Sequence, residues 1–140
     1  MPRDPFGNLR EWGCVLDLLD TLRGSGHLAE CQRGLCRILR FRGNWRLREE
    51  VLQRLDQIEA PNEGLIEEVI NVVSDEDSYH EVRILACQVL PCLVRKTCGL
   101  SAAELHLKTR LLVERLESLR KTPRPPILRR ALDVCLESIA

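Results

Sequence analysis

At 140 residues the chain is long enough for one hydrophobic core and too short for two comfortable ones. Aromatic residues at 4 % are too sparse for a β-sandwich core, so the 44 % apolar fraction, carried mainly by leucine, points to packed helices. The 21 basic and 21 acidic residues cancel, so net charge provides no general attraction to a polyanion.

The apolar spacing predicts helices along nearly the whole chain, after a flexible stretch over 1–8. A first helix is expected over 9–23, with Leu9, Trp12, Leu16, Leu19 and Leu22 on one stripe; Gly24-Ser25-Gly26 ends it. A second is expected over 27–40, and Gly43-Asn44 breaks it, with Asn44 suited to cap the next helix. The third, 45–59, buries Leu47, Val51, Leu52, Leu55 and Ile58, and Ala60-Pro61-Asn62 separates it from a short fourth helix over 63–73. The acidic turn "SDEDS" leads to a fifth helix over 79–96, which Pro91 should kink or shorten because it lacks an N–H. Ser101 and Glu104 form a capping box for a sixth helix reaching Lys121. "TPRPP" breaks that helix, and its prolines suit the first turn of a last helix over 126–138. Short loops imply antiparallel neighbours, a chain of helical hairpins in one domain over 1–140.

Charge is segregated. Six arginines and no acid lie between Arg33 and Arg48; eleven acids and one base lie between Glu49 and Glu81. Seven cysteines, an odd number with mostly apolar neighbours, argue against a disulfide framework and for buried thiols in a reducing compartment, cytoplasm or nucleus, rather than a secreted protein. The uncharged stretch nearest the middle, around Val89, is too short to span a bilayer.

Three helices share a pattern. "LREEVLQRLDQI" from Leu47, "VRILACQVLPCL" from Val82 and "LRRALDVCLESI" from Leu128 place apolar residues at offsets 0, 4, 8 and 11, with Arg second. The starts are 35 and 46 residues apart, and the third copy departs at Asp133. The pattern resembles the HEAT and armadillo superfamily, whose second helices carry aliphatic-Arg-x-x-Ala/Val-x-x-x-Leu. The resemblance implies a short right-handed α-solenoid: repeats at 27–59, 63–97 and 101–140, capped by the first helix, about seven helices in all. A four-helix bundle would suit the same periodicity.

No catalytic constellation and no metal-ligand spacing stand out. Histidines 27, 80 and 106 are scattered; the Cys31/Cys36 and Cys87/Cys92 spacings place thiols on different helix faces; no glycine-rich phosphate loop is present. His27 beside Cys31 is the only local base–thiol pair. The expectation is a protein without enzymatic activity or cofactor that acts as an interaction scaffold. Arg33, Arg37 and Arg40 follow i, i+4, i+7 spacing on the second helix, and Arg42 and Arg46 flank the turn that carries Trp45. Guanidinium groups beside an indole suit an acidic protein surface, helix or peptide, so Arg33, Arg37, Arg40, Arg42, Trp45 and Arg46 are the expected partner site. Nucleic acid is a less favoured partner for the 33–48 block, and membrane is not expected. Arg48 is expected to be structural, as Arg83 and Arg129 recur in register. "NWRLREEVLQRL" is also similar to the opening of tumour-overexpressed-gene (TOG) domains. That resemblance implies tubulin contact through Trp45, assisted by Lys121 and Arg124 on a later turn. The acidic turn at 75–77 departs from the TOG pattern.

Overall fold

The computed structural model describes residues 4–97, 99–122 and 124–139. They form an all-α fold of seven helices: α1 (Trp12–Ser25), α2 (Gln32–Arg40), α3 (Trp45–Leu52), α4 (Glu63–Ser74), α5 (His80–Arg95), α6 (Ala102–Arg120) and α7 (Pro126–Ile139). Of the twelve residues at the shared apolar offsets, Leu47, Val51, Leu55, Ile58, Val82, Ala86, Leu90, Leu93, Leu128, Leu132 and Leu136 are all buried, and Ile139 is half-buried. Burying one such side chain stabilises a fold by about 1.5–3 kcal/mol, so these stripes set how the helices pack.

Helices α2 and α3, α4 and α5, and α6 and α7 pair as successive hairpins. Between hairpins, α2 packs on α4, while α3 packs on α5 and α5 on α7; α1 rests on α3. The first members thus form one layer and the second members another. The second layer is continuous. The first opens between α4 and α6, leaving a groove lined by Ile66, Ile70, Leu105 and Leu112 and bridged by Lys108–Glu63 and Arg115–Glu67 ion pairs.

The helix ends follow backbone accounting. Side chains of Asn44, Asn62 and Ser101 accept from the N–H groups of Arg46, Leu65 and Glu104, at 3.0, 2.8 and 3.1 Å. Gly26, at φ 77°, ends α1 in the left-handed conformation that costs other residues a Cβ clash.

Four boundaries differ from the sequence-based expectation. The N-terminal stretch expected to be flexible is docked from Asp4 onward. Phe6 and Leu9 are buried, Asp4 accepts two bonds from Arg37, and Phe6 packs so closely on Gly34 that a Cβ there would lie 2.5 Å from its ring. Helix α1 begins at Trp12 because Asn8 folds the preceding residues into a turn, its side chain accepting from Arg10 N–H. The second helix starts as a 3₁₀ turn (Leu28–Cys31). There the buried Gln32 donates to the Ala29 and Ala60 carbonyls and accepts from Asn62 N–H, tying the start of α2 to the α3–α4 loop. The third helix stops at Leu52. Arg54 N–H turns to the Val51 carbonyl, and the Arg54 guanidinium takes the Glu50 carbonyl at 2.7 Å, along with Glu50 and Asp20 carboxylates at 2.6 and 2.5 Å. Pro91, by contrast, is buried inside α5, which runs on past it to Arg95.

A recurring arginine closes each first helix. Arg48 Nε donates to the Leu39 carbonyl at 2.8 Å and Arg83 Nε to Val73 at 2.9 Å, each the penultimate carbonyl of its helix. In the third hairpin the expected Arg129 is exposed. Arg124 takes the place instead, its Nε 3.0 Å from the Leu119 carbonyl, again penultimate. The cation also opposes the partial negative charge at the helix C-terminus.

Candidate functional site

The sequence placed Trp45 at the end of a turn without deciding whether the indole points in or out. It is 43 % exposed. Its ring meets that of Tyr79, 58 % exposed, with centroids 5.2 Å apart and planes at 61°, an edge-to-face contact. Trp45 opens α3 and Tyr79 caps α5, so the pair joins the equivalent turns of two adjacent hairpins. Sequence reasoning missed Tyr79, which directly follows the acidic turn "SDEDS". The available signal was positional: each aromatic lies two or three residues before the start of its repeat copy.

Between the two turns lies a cleft of about 330 Å³ lined by Arg42, Trp45, Arg48, Asp75, Asp77, Ser78 and Tyr79. Arg48 and Asp75 form its buried floor, paired at 3.1 Å. Arg42 crosses the mouth, 3.3 Å from Asp75 and 3.5 Å from Asp77. Burial pushes the Asp75 carboxyl up, but hydrogen bonds from Arg48 and from Asp77 N–H, with the charges of Arg42 and Arg48, outweigh it and hold the carboxyl below its usual range. The buried Ser78 hydroxyl has no hydrogen-bond partner among the described residues.

The six expected partner residues do not form one basic patch. Arg37 is held by Asp4 at 2.5 and 2.8 Å, Arg40 lies 3.7 Å from Glu68, and Arg42 is engaged by Asp75 and Asp77. Arg33 and Arg46 are exposed with no ion pair among the described residues, Arg33 on α2 and Arg46 beside Trp45. Acids from the block between Glu49 and Glu81, with Asp4, thus offset much of the basic block. The two segments fold onto each other. The roles implied for the later turn also change, since the Arg124 side chain is only 4 % exposed and occupied at the end of α6, while Lys121 remains exposed.

Among the described residues, no three His, Cys, Asp or Glu side chains are grouped to hold a metal ion. No described helix is long and apolar enough to cross a membrane. Cys31, Cys36, Cys87 and Cys135 are buried, Cys92 is half-buried and Cys14 is exposed, so the expectation of buried thiols holds for most of them; Cys98 lies outside the described residues. Burial pushes the thiols of Cys36, Cys87 and Cys135 up to about 11, 12 and 11, away from nucleophilic character. Cys31 donates to the His27 carbonyl, while the His27 ring faces Glu30 at 3.4 Å. No family model, no curated protein and no solved structure matches the chain.

Proposed function

We propose that this chain is a non-enzymatic protein-interaction module, a short α-solenoid of HEAT-like hairpins whose partner docks on the edge formed by Trp45 and Tyr79. The observation that carries the reading is the exposed aromatic pair itself. Two large rings from separate hairpins meet at the surface, where water contact costs more than burial under a partner would. The alternating hairpin contacts and the recurring arginine support the solenoid reading, because each pair packs chiefly on its chain neighbours. Tyrosine and tryptophan supply large contact area at low entropic cost, which suits them to anchor a partner.

The test is affinity capture with the intact protein and with the double variant W45A/Y79A, each checked for helicity by circular dichroism. Specific partners should be recovered by the former and lost by the latter. Equal recovery by both, with helicity unchanged, would remove this edge as the binding site.

A further inference from the structure

We infer that the Trp45–Tyr79 edge takes a cationic side chain, a lysine or arginine from a basic segment of the partner protein, with Asp77 as its counter-ion. This rests on the reading of the edge as a partner site and adds the partner's chemistry. It reverses the acidic partner that the arginine-rich sequence suggests.

Three observations carry it. The first is the geometry of the rings: two aromatic planes at 61° with centroids 5.2 Å apart form a corner, and the outward faces of Trp45 and Tyr79 present the negative side of their quadrupoles. The second is the charge left over once internal pairs are formed. Arg48 and Asp75 are buried and satisfy each other. The Asp77 side chain is 89 % exposed and held only by the 3.5 Å contact to Arg42, and Glu81 is exposed with no ion pair among the described residues. Opposing them are Arg46, exposed beside Trp45, and Arg42 itself, so the edge is balanced while Arg42 bridges the mouth and turns acidic when Arg42 swings away. The third is Ser78. The residue lines the cleft, and its buried hydroxyl lacks a partner among the described residues, which leaves an unused acceptor within the cleft wall.

Arg42 then acts as an internal stand-in. It bridges to Asp75 and Asp77 across the cleft mouth, with its side chain 62 % exposed, and an incoming cation competes with it for Asp77. Arg48 continues to hold Asp75 when Arg42 moves, so displacement leaves no buried charge unpaired.

Octalysine and octaglutamate are the probes, titrated by calorimetry and by the Trp45 indole N–H resonance at fixed ionic strength. Octalysine should bind. W45A and Y79A should each weaken it about two- to fivefold, the range for exposed cation–π contacts. D77N should weaken it too, and R42A should tighten it by removing the competitor. An R42A variant that weakens octalysine overturns the proposal, as does absence of octalysine binding at this edge. Octaglutamate binding that R42A and W45A abolish would overturn the cationic class while leaving the edge as a partner site. Octalysine binding indifferent to both aromatic substitutions, together with undiminished capture by W45A/Y79A, would remove the partner site as well.

Discussion

Replacing Arg124 by alanine tests whether the recurring arginine is set by position in space or by position in the sequence pattern. In register, Arg129 is the third copy of Arg48 and Arg83, but it is exposed, and Arg124 donates to the penultimate carbonyl of α6. R124A removes a charge-assisted bond at 3.0 Å to Leu119 and one at 2.8 Å to Thr122, from a side chain almost wholly buried. A hydrogen bond to a charged group contributes about 1.5–3 kcal/mol, and the lost stem adds about 1 kcal/mol. Two effects reduce the sum: Thr122 still donates to the Leu119 carbonyl at 2.7 Å, and repulsion of the buried Arg83 is relieved. The pair with the exposed Glu76 counts for little. The net expectation is a loss of about 2–3 kcal/mol for R124A and less than about 0.5 kcal/mol for R129A. Urea denaturation followed by circular dichroism reads the difference as a lower midpoint at constant slope. Equal losses for the two variants, or a larger one for R129A, would refute the assignment.

Gly34→Ala should destabilise by about 1–2 kcal/mol, because the new Cβ expels the Phe6 ring despite better helix propensity. In an F6A background the same change should cost less than about 0.5 kcal/mol in the same denaturation assay, because only the Asp4 carboxylate oxygen, 3.0 Å from the new Cβ, then offsets the gain in helix propensity. Acid should weaken the fold through Asp4, whose carboxyl is held below its usual range by the hydrogen bond from Arg37, and through Asp75. Since both folded-state values lie below the unfolded ones, their stabilisation is complete above about pH 4–5 and lost as pH falls through the depressed values; midpoints between pH 6 and pH 2 should fall less steeply in D4N and D75N. Iodoacetamide at pH 8 should label Cys14 and leave Cys36, Cys87 and Cys135 unmodified in the folded protein, mapped by peptide mass spectrometry.

What the sequence made legible was local and periodic. The apolar offsets located the buried stripes of α3, α5 and α7, and Asn44 and Ser101 marked two helix starts, because caps and stripes depend on residues a turn apart. The pairings that define the candidate site are long-range. Arg42 meets Asp77 across 35 positions and Trp45 meets Tyr79 across 34, so a block of arginines reads as a basic surface until the acidic turn folds over it. The Arg129-to-Arg124 exchange was hidden for a related reason: the pattern encodes helix register, whereas the bond depends on where the preceding helix ends.

The open first layer has a consequence for how the molecule comes apart. Helix α6, although the longest at 19 residues, buries only Leu112 and Leu116 and is held mainly through α7, whereas α5 is gripped by α3, α4 and α7. Opening free energy follows buried apolar contact, so α6, like α1 at the other end, forms an outer cooperative unit. Native-state hydrogen exchange should release its amides well before those of α5, making α6 a door that swings on α7 while α7 and the first two hairpins remain shut.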